Sequence, residues 1–246
     1  MNPTIDLLQA HRSIRRFTDK PISGELLEHI LLAGQAAATS SFIQATSVVR
    51  VLDNTARTEL VELTGGQKYV ASAAEFLVLC ADLQRNNQQV AAQGEDANFG
   101  WTEQFITATV DVALFAQNMV IAAQSAGLGI CYIGGIRNNP DRVSDMLGLP
   151  ELVYPVFGLC LGYPDQDPEK KPRLPLSVIV HENQYQASAA TGEAMQEYNT
   201  VVKDYYQRRS SGKLDFSWSE QMLKQSRSQS RPFMQEFLQK RGFLRQ

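Results

Sequence analysis

The segment His-Arg-Ser-Ile-Arg-Arg-Phe at residues 11–17 combines an imidazole, a hydroxyl and three guanidinium groups. Arginine donates charge-assisted, often bidentate hydrogen bonds to phosphate oxygens, and histidine and serine can add single bonds. The side chains of His11, Arg12, Ser13 and Arg15 are therefore candidates for holding a small phosphorylated ligand. A solvated basic turn would have the same composition, so the segment alone leaves both interpretations open.

Two further segments have the residue types of a ligand site. Lys170-Lys171-Pro172-Arg173 lies in a polar loop whose prolines restrict the backbone and fix the direction of its cations. Tyr132-Ile133-Gly134-Gly135 is a predicted strand end that runs into two glycines, where a planar ligand can approach the backbone because no Cβ intervenes. An ordinary surface loop and a plain turn, respectively, remain alternatives.

Several common catalytic motifs are missing from the sequence. Gly127 and Gly129 begin a GxG, but Tyr132 replaces the third glycine and a predicted helix precedes the glycines, which argues against a Rossmann dinucleotide site. The chain has no GxSxG, HExxH or P-loop motif, and its three histidines are widely spaced. We therefore predict no metal site, and we expect His29, on the polar face of the predicted helix over 23–38, to be solvated.

The hydrophobic pattern predicts the elements that position these residues. We predict helices over 23–38, 54–66, 101–126 and from Pro140, with strands over 46–53, 75–82, 131–133, 154–162 and 176–182. Residues 86–100, rich in Asn, Gln and Gly, are predicted to form a mobile surface loop. The helix over 101–126 is apolar nearly all round, which favours a molecular centre or a dimer interface. Peripheral helices are expected beyond residue 186.

The composition of the chain argues against several classes of protein. The chain has 246 residues, 43% of them hydrophobic, and a net charge of -3, so we expect a sizeable α/β or α+β core and no nucleic-acid partner. The N-terminus does not resemble a signal peptide, and we predict no membrane span and a cytoplasmic location. Cys80, Cys131 and Cys160 each lie in an apolar run, which is typical of buried reduced thiols.

These motifs, taken in order, resemble the FMN-dependent nitroreductase family, in its subgroup of oxygen-insensitive NADPH nitroreductases and NADPH-flavin oxidoreductases. The resemblance covers essentially the whole chain and rests on these segments: HRSIRRF at 11, TSSF at 39, TGGQK at 64, YIGG at 132, FGLCLGYP at 157, KPRLP at 171 and HENQY at 181.

The resemblance implies an α+β homodimer with a central mixed, mostly antiparallel sheet flanked by helices. It implies an FMN-binding domain over residues 1–186 and a C-terminal helical extension over 187–246, both parts of one structural unit. One FMN per subunit is expected at the dimer interface. The implied cofactor-binding residues are His11, Arg12, Ser13, Arg15, Gln67, Tyr132, Ile133, Gly134, Gly135, Lys171 and Arg173, with Thr39, Ser40 and Ser41 reaching the flavin from the partner subunit.

The resemblance also implies an activity. The expected enzyme oxidises NADPH and reduces nitroaromatics, nitrofurans and quinones by two-electron, ping-pong hydride transfer, with the flavin rather than a side chain carrying the chemistry. Arg209, with Lys213 in place of a second arginine that relatives have at the position of Leu214, is implied to bind the NADPH 2′-phosphate. The alternatives are a flavin reductase that supplies reduced FMN, a quinone, azo or chromate reductase, a flavin-binding dimer without turnover, and a dimeric ligand-binding module.

Overall fold

A computed structural model describes residues 2–227 and 230–245. These residues contain four β-strands: β1 (Thr46–Arg50), β2 (Glu75–Asp82), β3 (Gly129–Ile133) and β4 (Val153–Gly162). They contain eleven α-helices: α1 (Pro3–Gln9), α2 (Gly24–Gln35), α3 (Asn54–Leu63), α4 (Tyr69–Ser72), α5 (Gln84–Ala91), α6 (Thr102–Ser125), α7 (Pro140–Met146), α8 (Leu176–Ile179), α9 (Glu193–Arg209), α10 (Trp218–Ser226) and α11 (Met234–Lys240).

The four strands form one sheet in the order β1-β2-β4-β3. Each neighbouring pair of strands is antiparallel, and an isolated parallel bridge joins Ser13 to Ile130 in β3. All eight residues of β2 are buried, as the apolar run over 75–82 predicts. The expected α+β class with a mostly antiparallel sheet is confirmed.

Contacts divide the described chain into two units. The first comprises residues up to Pro168 together with residues from Arg231 onward, and the second comprises Glu169–Ser230. The chain thus leaves the first unit once and returns to it for α11. The second unit thus begins at Glu169, whereas the resemblance implies a boundary at residue 186.

Helix α2 begins where its sequence predicts. The side chain of Ser23 accepts a hydrogen bond from the backbone N–H of Leu26 and caps the helix. Gly34, near the other end, allows close contact with α6, because a Cβ at this position would lie 2.6 Å from side-chain atoms of Met119 and Phe115. His29 is exposed, as predicted.

Helix α6 has two apolar faces with different surroundings. One face is buried against β2 and neighbouring strands and includes Ala108, Val112, Ala116 and Met119. The other face leaves Ile106, Val110 and Leu114 more than 40% exposed. By length and composition α6 would suffice to cross a bilayer, a property that it shares with the core helices of other proteins. Its packing on the sheet identifies it as such a core helix.

Two predicted elements are wrong. The segment at 176–182 is not a strand: Leu176–Ile179 forms helix α8, and Leu176 and Ile179 are exposed rather than paired in a sheet. The loop with Lys171 and Arg173 therefore connects a strand to a helix instead of joining two strands. The predicted loop at 86–100 begins inside helix α5, and the backbone N–H of Arg85 in the first turn donates to the carboxylate of Asp82.

The second unit has its own small core. Tyr198, Val202, Tyr205 and Tyr206 line one side of α9 and are buried together with Met195. Helix α10 begins with a reciprocal capping box between Ser217 and Glu220. The predicted C-terminal helices are confirmed in α9 and α10 of this unit and in α11 of the first unit.

Candidate functional site

The basic turn at 11–17 lies alongside strand β3. The backbone N–H of Ile14 donates to the carbonyl of Ile130 at 2.8 Å. Gly129 makes this approach feasible, because a Cβ there would lie 2.6 Å from a side-chain carbon of Ile14. The turn is thus fixed alongside the start of β3 and runs parallel to it, toward the end of the strand that leads into Gly134 and Gly135.

The three arginines of this turn have different partners. Arg12 forms an ion pair with Asp167, and its Nε atom is buried without a hydrogen-bond partner. Arg16 donates through Nη2 to the carbonyl oxygen of Asp165 at 2.6 Å. Arg15 is exposed and lies close enough to Tyr69 to oppose the rise in its pKa that burial causes. Arg15 and the buried edge of Arg12 therefore remain as donors toward a ligand.

Gln67 is held in one orientation beside the two glycines. Its Nε2 donates to the carbonyl of Thr64 at 2.7 Å, and its Oε1 accepts a bond from the Tyr69 hydroxyl at 2.6 Å. A Cβ on Gly135 would lie 2.5 Å from that Thr64 carbonyl and 2.6 Å from Gln67 Nε2. The structure thus brings Arg15, Gln67 and Gly135 together around Tyr69, although they are far apart in sequence.

Tyr132 and Ile133 complete this end of β3. Ile133 is fully buried, so only its backbone is available to a ligand. Tyr132 packs edge-on against Phe157 at 5.0 Å between ring centroids, and burial raises the pKa of its phenol to about 12. Tyr132 contributes its packed ring and Ile133 its backbone to this site, and neither contributes a charge.

Arg231 also contacts the glycine turn, and sequence reasoning missed it. Its Nη2 donates to the carbonyl of Gly134 at 3.2 Å and to Asn138 Oδ1 at 2.9 Å. Burial lowers the pKa of the neighbouring Arg137, and the positive charge of Arg231 lowers it further. No local motif marks Arg231, because it reaches the site only through the return of the chain to the first unit.

The hydroxyl-rich segment, residues 39–45, is built around Asp111 of α6. Asp111 is 4% exposed and accepts bonds from the Thr39 hydroxyl and from the backbone N–H groups of Ser40 and Ala45. The side chains of Ser40 and Ser41 are exposed. The hydroxyl of Thr39 is committed to the fold, whereas those of Ser40 and Ser41 face solvent.

A cavity of about 440 Å³ adjoins this segment, a volume within the range of small-molecule sites. Thr39, Gln44, Arg85, Asp111 and Phe115 are among its lining residues. The cavity does not include Arg15, Gln67 or the glycine turn. The first unit therefore has two separate candidate regions, one at the end of β3 and one beside α6.

The second unit holds the remaining predicted cations. Lys171 Nζ lies 5.5 Å from the centroid of the Tyr206 ring, and Arg209 donates to the Tyr205 hydroxyl at 2.9 Å. Burial raises the pKa of Tyr198, and the charge of Arg173 opposes that rise. Lys213 is exposed after the end of α9. Aromatic rings of α9 thus adjoin Lys171, Arg173 and Arg209.

The three thiols lie inside the core, and Cys160 Sγ contacts the carbonyl oxygen of Tyr69 at 3.5 Å. Cys80, Cys131 and Cys160 are free and buried, and burial raises the pKa of each, that of Cys80 to about 12. The predicted burial is confirmed. Across residues 2–227 and 230–245, no group of three or more His, Cys, Asp or Glu side chains could hold a metal ion.

Comparison with known proteins identifies the class. Residues 8–163 match the model described as "Nitroreductase family", and residues 171–246 match "Nitroreductase family, C-terminal domain". The chain belongs to the nitroreductase family, and it is an oxidoreductase.

Individual relatives are similar to the chain over nearly its whole length. It is 45% identical to the oxygen-insensitive NADPH nitroreductase of Salmonella typhimurium, over 99% of both chains. It is 42% identical to the FMN reductase (NADPH) of Bacillus subtilis, again over 99% of both. The solved NADPH:FMN oxidoreductase of Vibrio harveyi, complexed with NAD+, superposes with a TM-score of 0.90 and 43% identity, with 100% of each chain covered.

Proposed function

We propose that this protein is an FMN-dependent NADPH oxidoreductase that reduces nitroaromatics and nitrofurans, and also quinones. The observation that carries the proposal is the cluster of Arg15, Gln67 and Gly135 at the end of β3, in a family whose relatives have the names of NADPH nitroreductases and FMN reductases. An exposed cation, a fixed amide and the neighbouring backbone of Gly134, over which no bulky group lies, are the groups that a phosphorylated planar ligand needs.

The residues present fit FMN. The unpartnered Nε of Arg12 is a buried donor that a phosphate oxygen can satisfy, and unpaired buried donors are costly. No bulky neighbour lies over Gly134, where an added Cβ would come no closer than 3.6 Å to Arg137. We assign the phosphate, the ribityl chain and the N1/O2 side of the ring to His11, Arg12, Ser13 and Arg15, with Lys171 and Arg173, and the rest of the ring to Gln67 and the backbone of residues 132–135.

The protein groups bind and orient, and none acts as a nucleophile. When bound, FMN would supply two-electron redox chemistry between NADPH and the acceptor. The Gln67 amide presents its polar atoms in one orientation, because Thr64 and Tyr69 hold both ends of it. Arg15 and Lys171 supply positive charge that stabilises an electron-rich ring. We assign no chemical role to the three thiols, which are buried.

We assign NADPH preference to the second unit. Arg209 lies at the C-terminal end of α9, where Tyr205 orients its guanidinium, and Lys213 follows four residues later. Both are exposed cations suited to a 2′-phosphate. Substitution of Arg209 with Ala should raise the KM for NADPH far more than the KM for NADH, and equal changes for both would contradict the assignment.

We further propose a cytoplasmic homodimer. Ile106, Val110 and Leu114 recur at intervals of four residues on the exposed face of α6, and Leu32 and Phe42 are exposed as well. Apolar surface of this kind is typical of a buried interface between subunits. In such a dimer Ser40 and Ser41 reach the partner's flavin. Sedimentation at low protein concentration tests this, and a monomer that retains FMN would contradict it.

A second candidate function, the supply of reduced FMN to another enzyme, is favoured by the name of the Bacillus subtilis relative. The two functions differ in the acceptor that reoxidises the enzyme. A higher kcat/KM for free FMN than for nitrofurazone would favour the flavin reductase. A higher value for nitrofurazone would favour the nitroreductase.

The decisive test is an anaerobic absorbance titration of the purified protein with NADPH and then with nitrofurazone. We expect a bound flavin band that bleaches with NADPH and returns with the acceptor. A protein that shows no flavin band after incubation with FMN would overturn the proposed function. A flavin band that NADPH does not bleach would favour a binding protein without turnover.

A further inference from the structure

Asp111 is unusual in its helix. Between Gln104 and Ser125 it is the only charged residue, and the rest of this stretch is apolar, small or neutral. The side chain is 4% exposed. Burial of a carboxylate in an apolar helix is costly unless hydrogen bonds compensate it, so such a residue is expected to hold something in place.

The carboxylate of Asp111 holds both ends of the hydroxyl-rich segment. At the start of the segment, Oδ1 accepts from the N–H of Ser40 at 3.1 Å and Oδ2 accepts from the Thr39 hydroxyl. At its end, Oδ2 accepts from the N–H of Ala45 at 3.2 Å. The Thr39 oxygen also accepts from the N–H of Gln44 at 2.9 Å. One carboxylate and one hydroxyl thus close the segment into a loop.

The backbone inside this loop is strained. Ser41, Phe42 and Gln44 have φ values of 47°, 59° and 49°, in the left-handed region that residues other than glycine avoid. Such conformations persist where surrounding contacts fix them. Here the closed ends direct Ser40, Ser41 and the 79% exposed ring of Phe42 away from the protein.

We infer that Asp111 is a positioning residue, which acts through Thr39 to present Ser40 and Ser41 to the flavin of a partner subunit. The inference rests on the proposed function, and it gives Thr39 a different task from the two serines beside it. Thr39 joins the segment to Asp111, and only the two serines are available to the flavin.

The test measures the dissociation constant of FMN from apo-protein, by quenching of flavin fluorescence, for Asp111→Asn and Thr39→Val. Asn replaces one acceptor oxygen with an amino group, and Val keeps the shape of Thr without its hydroxyl. We expect FMN binding about tenfold weaker in each variant, the equivalent of one lost hydrogen bond. Thr39→Ser keeps the hydroxyl and should bind FMN as the wild type does.

Glu75→Gln is the matched control. Glu75 is also a buried carboxylate, 5% exposed, but it pairs with Arg50 on the sheet and touches no residue of the 39–45 segment. We expect its thermal midpoint to fall about as much as that of Asp111→Asn, with unchanged FMN affinity. Hydrogen exchange at the amides of Ser40 and Ala45 should accelerate in Asp111→Asn only.

The outcomes are distinct. If the wild type binds FMN and both variants bind it within twofold of the wild type, the positioning role is overturned and the proposed function stands. An equal loss of affinity in Glu75→Gln would overturn the positioning role as well, because the effect would then follow general destabilisation. If the wild type itself fails to bind FMN, the proposed function falls, and the inference falls with it.

Discussion

The two candidate regions of the first unit satisfy their polar groups in opposite ways. Alongside β3, donors are left over: Arg15 is exposed and the Nε of Arg12 is buried without a partner. Beside α6, the polar groups already have hydrogen-bond partners. Asp111 accepts three hydrogen bonds, and the Thr39 hydroxyl both donates and accepts one.

This difference separates a region that can bind a ligand from a region that holds the backbone in place. A region with unused donors gains free energy when an anionic ligand arrives, because the ligand satisfies groups that the fold leaves open. A region with complete hydrogen bonds gains little from a ligand through those bonds, but it holds strained backbone in place. We therefore expect substitutions at the β3 end to weaken ligand binding and substitutions at Asp111 to affect the segment itself.

The largest expected effect is that of Asp111→Ala on stability. Three hydrogen bonds are lost, of which the one from the Ala45 N–H is buried, and each is worth about 1 kcal/mol, so the free energy of unfolding should fall by about 3 kcal/mol. Denaturant unfolding measures it. The matched control is Asp167→Ala, which removes an 85% exposed carboxylate and should cost less than about 1 kcal/mol. Equal losses of stability in the two variants would contradict the proposed difference between the two regions.

Next in size is the effect of Arg15→Gln on ligand binding. The loss of one charge-assisted hydrogen bond should weaken FMN binding by about 2 kcal/mol, or roughly thirtyfold, with little change in stability. Arg16→Gln is the neighbouring control, since Arg16 is already bonded to the carbonyl of Asp165. Calorimetric titration of apo-protein with FMN gives both values, and a larger loss in the Arg16 variant would reverse our assignment.

A smaller effect distinguishes the two adjacent glycines. Gly135→Ala places a methyl group 2.5 Å from the backbone carbonyl of Thr64, so the free energy of unfolding should fall by about 1.5 kcal/mol. Gly134→Ala meets nothing closer than 3.6 Å and should leave stability unchanged while it weakens FMN binding. If both variants lose stability alike, Gly134 is a structural residue and not an open surface for the flavin ring.

The last effect is confined to alkaline pH and is absent near neutrality. Burial raises the pKa of Tyr132 from 10 to about 12, so the unfolded chain loses this proton first and stability falls as pH rises through that interval. The segment at 39–45 has no tyrosine or cysteine and should not contribute. Tyr132→Phe should flatten the decrease in unfolding free energy of the apo-protein between pH 10 and 12. An unchanged slope would place the titrating group elsewhere.

Much of the fold follows from local sequence signals. The apolar run over 75–82 predicts β2 to the residue, and Ser23 and Pro140 mark helix starts that the structure confirms. The strand predicted at 176–182 fails because β-branched residues favour a strand only where a sheet neighbour pairs with them. The helix at Gln84–Ala91 was missed because tertiary bonds, such as that from Asn86 to the carbonyl of Ile43, outweigh its weak helix propensity.

Some residues of the candidate site could likewise be predicted from the sequence, and others could not. Composition marks the basic turn, and the family resemblance adds Gln67 and the glycines, which the structure places near Arg15. Asp111 had a signal that could have been used, since a single charge inside a long apolar helix indicates a buried polar contact. Arg231 had none, because its contact with the carbonyl of Gly134 depends on how distant parts of the chain pack.

The second unit is an insertion in the topological sense, because the chain departs after Pro168 and rejoins the first unit at Arg231. The entropy cost of closing such an excursion grows only slowly with its length. Residues 169–230 can therefore change in length at positions other than those assigned to FMN and NADPH, while the sheet, α6 and α11 keep their sequence constraints. In a chain of this design, a change of length in the inserted unit does not require the core to refold.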